Sequence, residues 1–190
     1  MSELILNPEI TKQKLEMLGY SFTIENDWAI IFKQGRKYGI VDLTQPIKTG
    51  LIKPIYESVG VCKHFITGRY YEGDSRGYAH LRTHIYVRTK GKVSIRRINI
   101  KQLIAPDNES EILLIKSESG NRYLLNKYGK HIRIPNYNIF SRTDLAINDK
   151  GNYVVYQSNF SYIGTNGIQN DKVALLEVDV NLNKIAENGV

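Results

Sequence analysis

Short runs rich in Ile, Val, Tyr and Phe recur along most of the chain, separated by Gly, Asn, Asp and Lys at intervals of about ten residues. Extended backbone sends successive side chains to opposite faces, so runs of this length bounded by turn residues predict antiparallel strands. The candidates are Trp28 to Lys33, Tyr38 to Asp42, Val59 to Thr67, Gly77 to Arg88, Val93 to Lys101, Ile112 to Lys116, Tyr123 to Asn126, Tyr153 to Gln157 and Val173 to Val178. Lys-Gly, Asp-Lys-Gly-Asn and Lys-Tyr-Gly-Lys lie between them and supply the glycine that tight turns require. One segment reads differently. Asn7 before Pro8 matches an N-cap with proline at the first helical position, and Gly19 supplies a stop, which predicts a short helix over 8–18 with Ile10, Leu15 and Leu18 as a partial apolar stripe. The expected fold is therefore mainly β, an antiparallel hairpin-repeat sheet or barrel-like architecture with one short N-terminal helix. Ile104 to Glu111, containing Ala105-Pro106-Asp107-Asn108, is the linker candidate. It divides the chain into 1–103, with the helix and the first hairpins, and 112–190, with the C-terminal hairpins, as two domains or one continuous sheet system.

An internal echo accompanies this pattern. Gly35-Arg36-Lys37-Tyr38-Gly39-Ile40-Val41-Asp42 is followed by Gly50-Leu51-Ile52-Lys53-Pro54-Ile55-Tyr56. Gly120-Asn121-Arg122-Tyr123-Leu124-Leu125-Asn126-Lys127-Tyr128-Gly129-Lys130 is followed by Ile132-Arg133-Ile134-Pro135-Asn136-Tyr137. Both pass from a polar turn through an aromatic and aliphatics to a second turn, then to aliphatics ending in Pro-x-Tyr, the order of a hairpin closed by an aromatic anchor. The order at 35–56 and 120–137 resembles the WG-repeat family of β-rich modules, in which an aromatic-Gly pair opens a hairpin and Pro-x-Tyr closes it. Tyr38 and Tyr123 stand where the family has tryptophan, Leu124 replaces the following glycine in the second copy, and the Asp42 to Gly50 turn is longer than usual. Gly151-Asn152-Tyr153 is a further fragment of the same kind. The resemblance implies a repetitive β fold used for contacts with other molecules, and it brings no catalytic residues.

Composition narrows the class. Hydrophobic residues at 42% and charged residues at 24% of 190 are globular proportions, which argue against disorder and against a fibrous protein. The single Cys62 excludes an internal disulfide framework or a cysteine-rich zinc module. No run approaches the ~18 apolar residues of a membrane span, and the first ten residues, with Glu3 and only Leu4-Ile5-Leu6 as an apolar run, do not read as a secretory leader. The expectation is a cytoplasmic protein without a membrane partner.

Charge is where the sequence is most uneven. The net charge is +7, yet the window from Arg76 to Lys101 holds eight basic residues and no acidic one, leaving 18 basic and 19 acidic elsewhere, a balance of −1. Strand alternation places Tyr78, His80, Arg82, His84, Tyr86 and Arg88 on one side and Ala79, Leu81, Thr83, Ile85 and Val87 on the other. Thr89-Lys90-Gly91-Lys92 reads as a hairpin turn, and a bulge near Arg96-Arg97 would bring Val93, Ile95, Ile98 and Ile100 to one apolar side. The result is a basic ribbon whose contact candidates are Arg76, Tyr78, His80, Arg82, His84, Tyr86, Arg88, Lys90, Lys92, Arg96, Arg97 and Lys101. Such a ribbon docks on a protein or ribonucleoprotein partner, binds single-stranded RNA or DNA by phosphate contacts and tyrosine stacking, or is only a solvated strand face.

Chemistry beyond binding finds no constellation. Gly73-Asp74-Ser75-Arg76-Gly77 has the look of a nucleophile motif without its strand-to-helix setting, and reads as a polar turn. His80 and His84 have helical metal-chelating spacing, but on a strand four residues span ~13 Å, too far for one ion. Asp107, Glu109 and Glu111 alternate beside Pro106 as a solvated strand start, and neither a dinucleotide nor a phosphate-loop motif occurs. The sequence thus predicts a non-catalytic binding protein without cofactor or metal, an inhibitor or adaptor, for example a phage-type inhibitor of a host nucleic-acid defence complex. Direct single-strand nucleic-acid binding is the alternative, and an enzyme with dispersed catalytic residues is a further one.

Overall fold

A computed structural model of the chain describes residues 5–88, 91–93, 100–117, 119–134, 142–162 and 168–187. Helix α1 (Pro8–Met17) begins where the sequence places it, with the Asn7 side chain accepting from the Ile10 amide at 3.1 Å. The described strands then form four antiparallel sheets, each a four-stranded meander in chain order. The first is β1 (Ser21–Asn26), β2 (Ala29–Gln34), β3 (Lys37–Asp42) and β4 (Leu51–Tyr56), with the helical turn α2 (Ile47–Gly50) before its last strand. The second is β5 (Ser58–Val61), β6 (Phe65–Gly73), β7 (Ala79–Val87) and β8 (Gly91–Val93). The third is β9 (Ile100–Ile104), β10 (Ile112–Ser117), β11 (Arg122–Asn126) and β12 (His131–Ile134), and the fourth is β13 (Arg142–Ile147), β14 (Tyr153–Tyr162), β15 (Ile168–Val178) and β16 (Lys184–Glu187). Among the described strands a new meander starts about every 40 residues. The hairpin-repeat form of the expected fold is the one adopted; among the described residues no sheet closes into a barrel.

The segments that resemble WG repeats occupy equivalent places. The first copy covers β3 and β4, the second β11 and β12, the last two strands of the first and third meanders, although 135–137 lie outside the described residues. Two strand expectations change. Val59 to Thr67 is two strands, because the backbone reverses at Cys62 and Phe65, whose amides and carbonyls exchange hydrogen bonds at 2.9 and 3.3 Å. No Gly, Pro, Asn or Asp marks that turn. The Val93 to Lys101 strand is likewise divided, since β8 ends at Val93 in the second sheet and β9 begins at Ile100 in the third. The bulge expected near Arg96-Arg97 lies outside the described residues.

The chain separates into two compact units, Met1–Arg97 and Ile98–Val190. The Ile104 to Glu111 segment is the β9–β10 connection inside the second unit, where Ile104 pairs with Leu114. In the first unit Trp28 of the β1–β2 turn and Ala29, Ile31, Ile40 and Tyr56 of the first sheet pack with Ile66 and Tyr86 of the second. Trp28 is fully buried and its Nε1 donates to the Lys63 carbonyl at 3.1 Å, tying the sheets through both an apolar and a polar end. Leu15 of α1 covers the other face of the first sheet with Ile30, Phe32, Val41 and Leu43. Thr11 and Leu15 are buried, while Ile10 and Leu18 of the expected stripe are exposed, because this ten-residue helix buries one narrow line of side chains. In the second unit Ile112, Leu114, Leu124 and Ile134 pack with Leu145, Val155, Leu176 and Val178. Asn126 Nδ2 donates to the Val180 carbonyl at 2.9 Å and Tyr153 Oη accepts from the Glu111 amide at 2.8 Å, again joining two sheets through polar contacts.

Candidate interaction hairpin

Strands β6 and β7 form a long hairpin, in register from Phe65 opposite Val87 to Gly73 opposite Ala79. Its base lies inside the sheet, since β5 pairs with Ile66 to Arg69 and β8 with Ile85 to Val87. Beyond Arg69, β6 has no flanking strand among the described residues, and the outer part is exposed on the Tyr71 face and partly exposed on the Tyr70 face. Tyr71 (59%), Tyr78 (65%) and Leu81 (37%) are the large apolar side chains left in solvent there.

The register sorts the outer hairpin into two faces. Arg69, Tyr71 and Gly73 lie opposite Thr83, Leu81 and Ala79, while Tyr70 and Glu72 lie opposite Arg82 and His80. The second face is a salt-bridged one. Arg82 Nε donates to Glu72 Oε2 at 2.8 Å. At the tip, Asp74 Oδ2 accepts from Arg76 Nη2 and meets His80 Nε2, each at 3.1 Å, while Oδ1 accepts from the Arg76 and Tyr78 amides at 2.9 and 3.0 Å. The His80 contact and then the backbone amides stabilise the carboxylate and push its pKa down to about 2. The Gly73 to Gly77 segment is thus a turn organised by Asp74, and the Arg76 guanidinium lies 5.7 Å from the exposed Tyr78 ring.

Toward the base, residues of this face turn into the core. His84 Nδ1 meets Tyr56 Oη at 2.8 Å, and its ring stacks obliquely on Tyr70 at 4.5 Å. Tyr86 is 3% exposed, and its hydroxyl lies 2.6 Å from Tyr56 Oη. Burial first, and the neighbouring tyrosines after it, pushes Tyr56 far above the ordinary range, while burial pushes Tyr86 up to about 12. Gly68 permits this packing, because a Cβ there would stand 2.7 Å from the Tyr56 ring. Arg88 Nη1 lies 2.7 Å from Asp27 Oδ2 of the β1–β2 turn.

The ribbon expected from sequence is therefore redistributed. Arg76, Tyr78, His80 and Arg82 share the outer hairpin. Tyr86 belongs to the core and His84 to a hydrogen-bonded network, because the first sheet packs on the face that alternation assigned to solvent. Lys92 is on β8 and Lys101 on β9, in different sheets, and Lys90, Arg96 and Arg97 lie outside the described residues. The local excess of cations is met by acids from neighbouring segments, Glu72 and Asp74 just before the window and Asp27 far from it. Ala79 and Leu81, assigned to an apolar back, are exposed, and Tyr71 was outside the ribbon altogether. The Tyr70-Tyr71 pair, with one ring on each face of a strand, was the available signal for it.

The other chemical candidates dissolve into local structure. Asp107 Oδ1 accepts from the Glu109 amide and Ser110 Oγ in a turn, and Glu111 pairs with Lys127. Among the described residues no group of three His, Cys, Asp or Glu side chains is arranged to hold a metal, and no helix is long and apolar enough to cross a membrane.

No family model matches the chain, and no curated protein matches it. Two solved structures align with it at low similarity. "KlHsv2 with loop 6CD replaced by a Gly-Ser linker" is 8% identical, with a TM-score of 0.27 over 85% of this chain and 72% of that one. Kluyveromyces lactis Hsv2p is 9% identical, with a TM-score of 0.26 over 86% of this chain and 74% of that one. Similarity at this level carries no inference about fold or function.

Proposed function

We propose that this is a non-catalytic binding protein, an adaptor or inhibitor of the WG-repeat-like kind, that docks on a protein or ribonucleoprotein partner through the outer β6–β7 hairpin. The observation that carries the reading is the pairing of exposed Tyr71 and Leu81 directly across the hairpin. Tyrosine and arginine anchors dominate binding energies at protein interfaces, and a two-stranded extension presents them away from the body of its sheet. Bulk positive charge gives less support than the composition implied, since Arg76, Arg82 and Arg88 each face a carboxylate. Direct single-strand binding keeps one favourable feature, the exposed Tyr78 ring with Arg76 beside it.

Affinity capture from the native host, run with and without nuclease, separates these readings. A protein retained after nuclease treatment is the expected result. Loss of every partner on nuclease treatment, with a raised 260/280 nm absorbance ratio in the untreated sample, transfers the function to nucleic acid. In that case engagement of about six cations weakens binding by ~10³ between about 50 and 200 mM salt.

A further inference from the structure

Resting on the hairpin reading above, we infer that the partner contributes an extended segment that adds to the edge of β6 beside Tyr71 and Gly73, which no described strand covers, and that it carries an apolar side chain and a carboxylate on one face.

Antiparallel strands direct alternate residues to opposite neighbours. Asp74 donates its amide to the Tyr78 carbonyl, which fixes even-numbered β6 residues as those bonded toward β7. Odd-numbered residues then face the other way, and the Arg69 carbonyl accordingly accepts from the Glu57 amide at 2.7 Å, beside β5. Strand β5 starts at Ser58, opposite Arg69, so the N–H and C=O groups of Tyr71 and Gly73 face a side where no described strand continues. Open edges of this kind are usually blunted by lysine, proline or a bulge, and Tyr70 to Gly73 contains no lysine or proline and pairs with β7 without a register shift. An added strand satisfies these groups and takes its specificity from side chains on alternate faces.

The face shared with Arg69, Tyr71 and Gly73 defines those side chains. A Cβ placed on Gly73 would meet nothing within 4 Å, so an apolar side chain opposite Gly73 has room to pack beside the exposed Tyr71 and Leu81. The residue two positions further along an antiparallel partner stands opposite Tyr71 and diagonal to Arg69, a separation of ~7–8 Å that a long side chain bridges. Arg69 is exposed, and none of the ion pairs among the described residues includes it, so a carboxylate at that position completes the charge. The occupant is a strand with the order apolar, any residue, then Asp or Glu.

Phage-displayed random linear peptides, panned against the immobilised full chain, test this directly. The expected result is enrichment of apolar-x-acidic peptides whose affinity falls about tenfold or more with Gly73→Pro, which removes an outward N–H, and with Arg69→Glu. Unchanged thermal unfolding of both variants confirms that they fold. No enrichment, or enriched peptides that bind both variants as they bind the parent, overturns strand addition. Peptides lost with Tyr71→Ser and Leu81→Ser but retained by Gly73→Pro and Arg69→Glu overturn strand addition and leave the hairpin as the docking element. Peptides retained by all four variants place the site elsewhere and overturn both.

Discussion

Tyr86 shows at the scale of one residue how tertiary packing overrides strand alternation. Its phase matches that of exposed Tyr78, yet it meets the first sheet and joins Tyr56 and His84 in a buried polar network. Alternation assigns a residue to a face, and only the neighbouring sheet decides whether that face is wet. Tyr56→Phe removes the hydroxyl that joins two partners and leaves Tyr86 without its mate. The expected destabilisation is ~1–3 kcal/mol, measured by urea unfolding. The same network sets an alkaline limit. The pKa values of Tyr56 and Tyr86 lie above the unfolded value of 10, so their stabilising contribution is complete below about pH 10. Above it, the unfolded state releases protons that the folded state retains, and stability falls by about 1.4 kcal/mol per pH unit for each tyrosine until the folded group ionises. Unfolding free energies measured from about pH 9 to pH 12 should decline in the parent and decline less steeply in Tyr56→Phe, which removes one of the tyrosines that burial pushes up.

The recurring element is a hairpin turn built on one plan. Asp74, Asn126, Asn148 and Asp179 each accept from the amides two and four residues ahead, and the residue three ahead has a positive φ. This residue is Gly77, Gly129 or Gly151 in three turns and Leu182 in the fourth. Gly151→Ala places a Cβ in the left-handed region and should cost ~1–2 kcal/mol. Leu182→Gly relieves a similar strain at φ 64°, but Leu182 is buried at 3%, and its loss from the core costs ~2–5 kcal/mol, so the exchange destabilises. Thermal unfolding should lower Tm for both. At Asp74 the carboxylate is held from an ordinary 3.8 down to about 2, so the order it gives the hairpin tip is complete above about pH 4 and disappears as pH falls through 2. The Tyr78 amide resonance reports that change. Most strand positions were legible in sequence because glycine, asparagine and aspartate mark these turns. The Cys62 to Phe65 turn was hidden because none of its residues carries that signature.

At the scale of the molecule, the four meanders of the described residues, at a period of about 40 residues, explain why the echo at 35–56 and 120–137 appears where it does, two meanders apart. Overall β character was readable from periodicity and the short helix from its Asn7-Pro8 cap and Gly19 stop; the grouping of hairpins into sheets was not, because it depends on which edges meet. Charge behaved similarly. Counting along the chain isolates a window of eight cations, but folding brings Asp27, Glu72 and Asp74 to Arg88, Arg82 and Arg76, and it exposes the apolar pair Tyr71 and Leu81 at the hairpin. Reversing Arg88 would set a second carboxylate against Asp27, whereas Tyr71 and Leu81 make a cleaner pair to remove. Their replacement by serine on an exposed surface should change stability by about 0.5 kcal/mol or less. The most direct measurement is quantitative capture of host proteins, after nuclease treatment, by the parent and by the Tyr71→Ser/Leu81→Ser variant at matched Tm. Docking through the hairpin predicts that the parent retains a specific protein and the variant loses it, while equal retention by both would contradict the assignment.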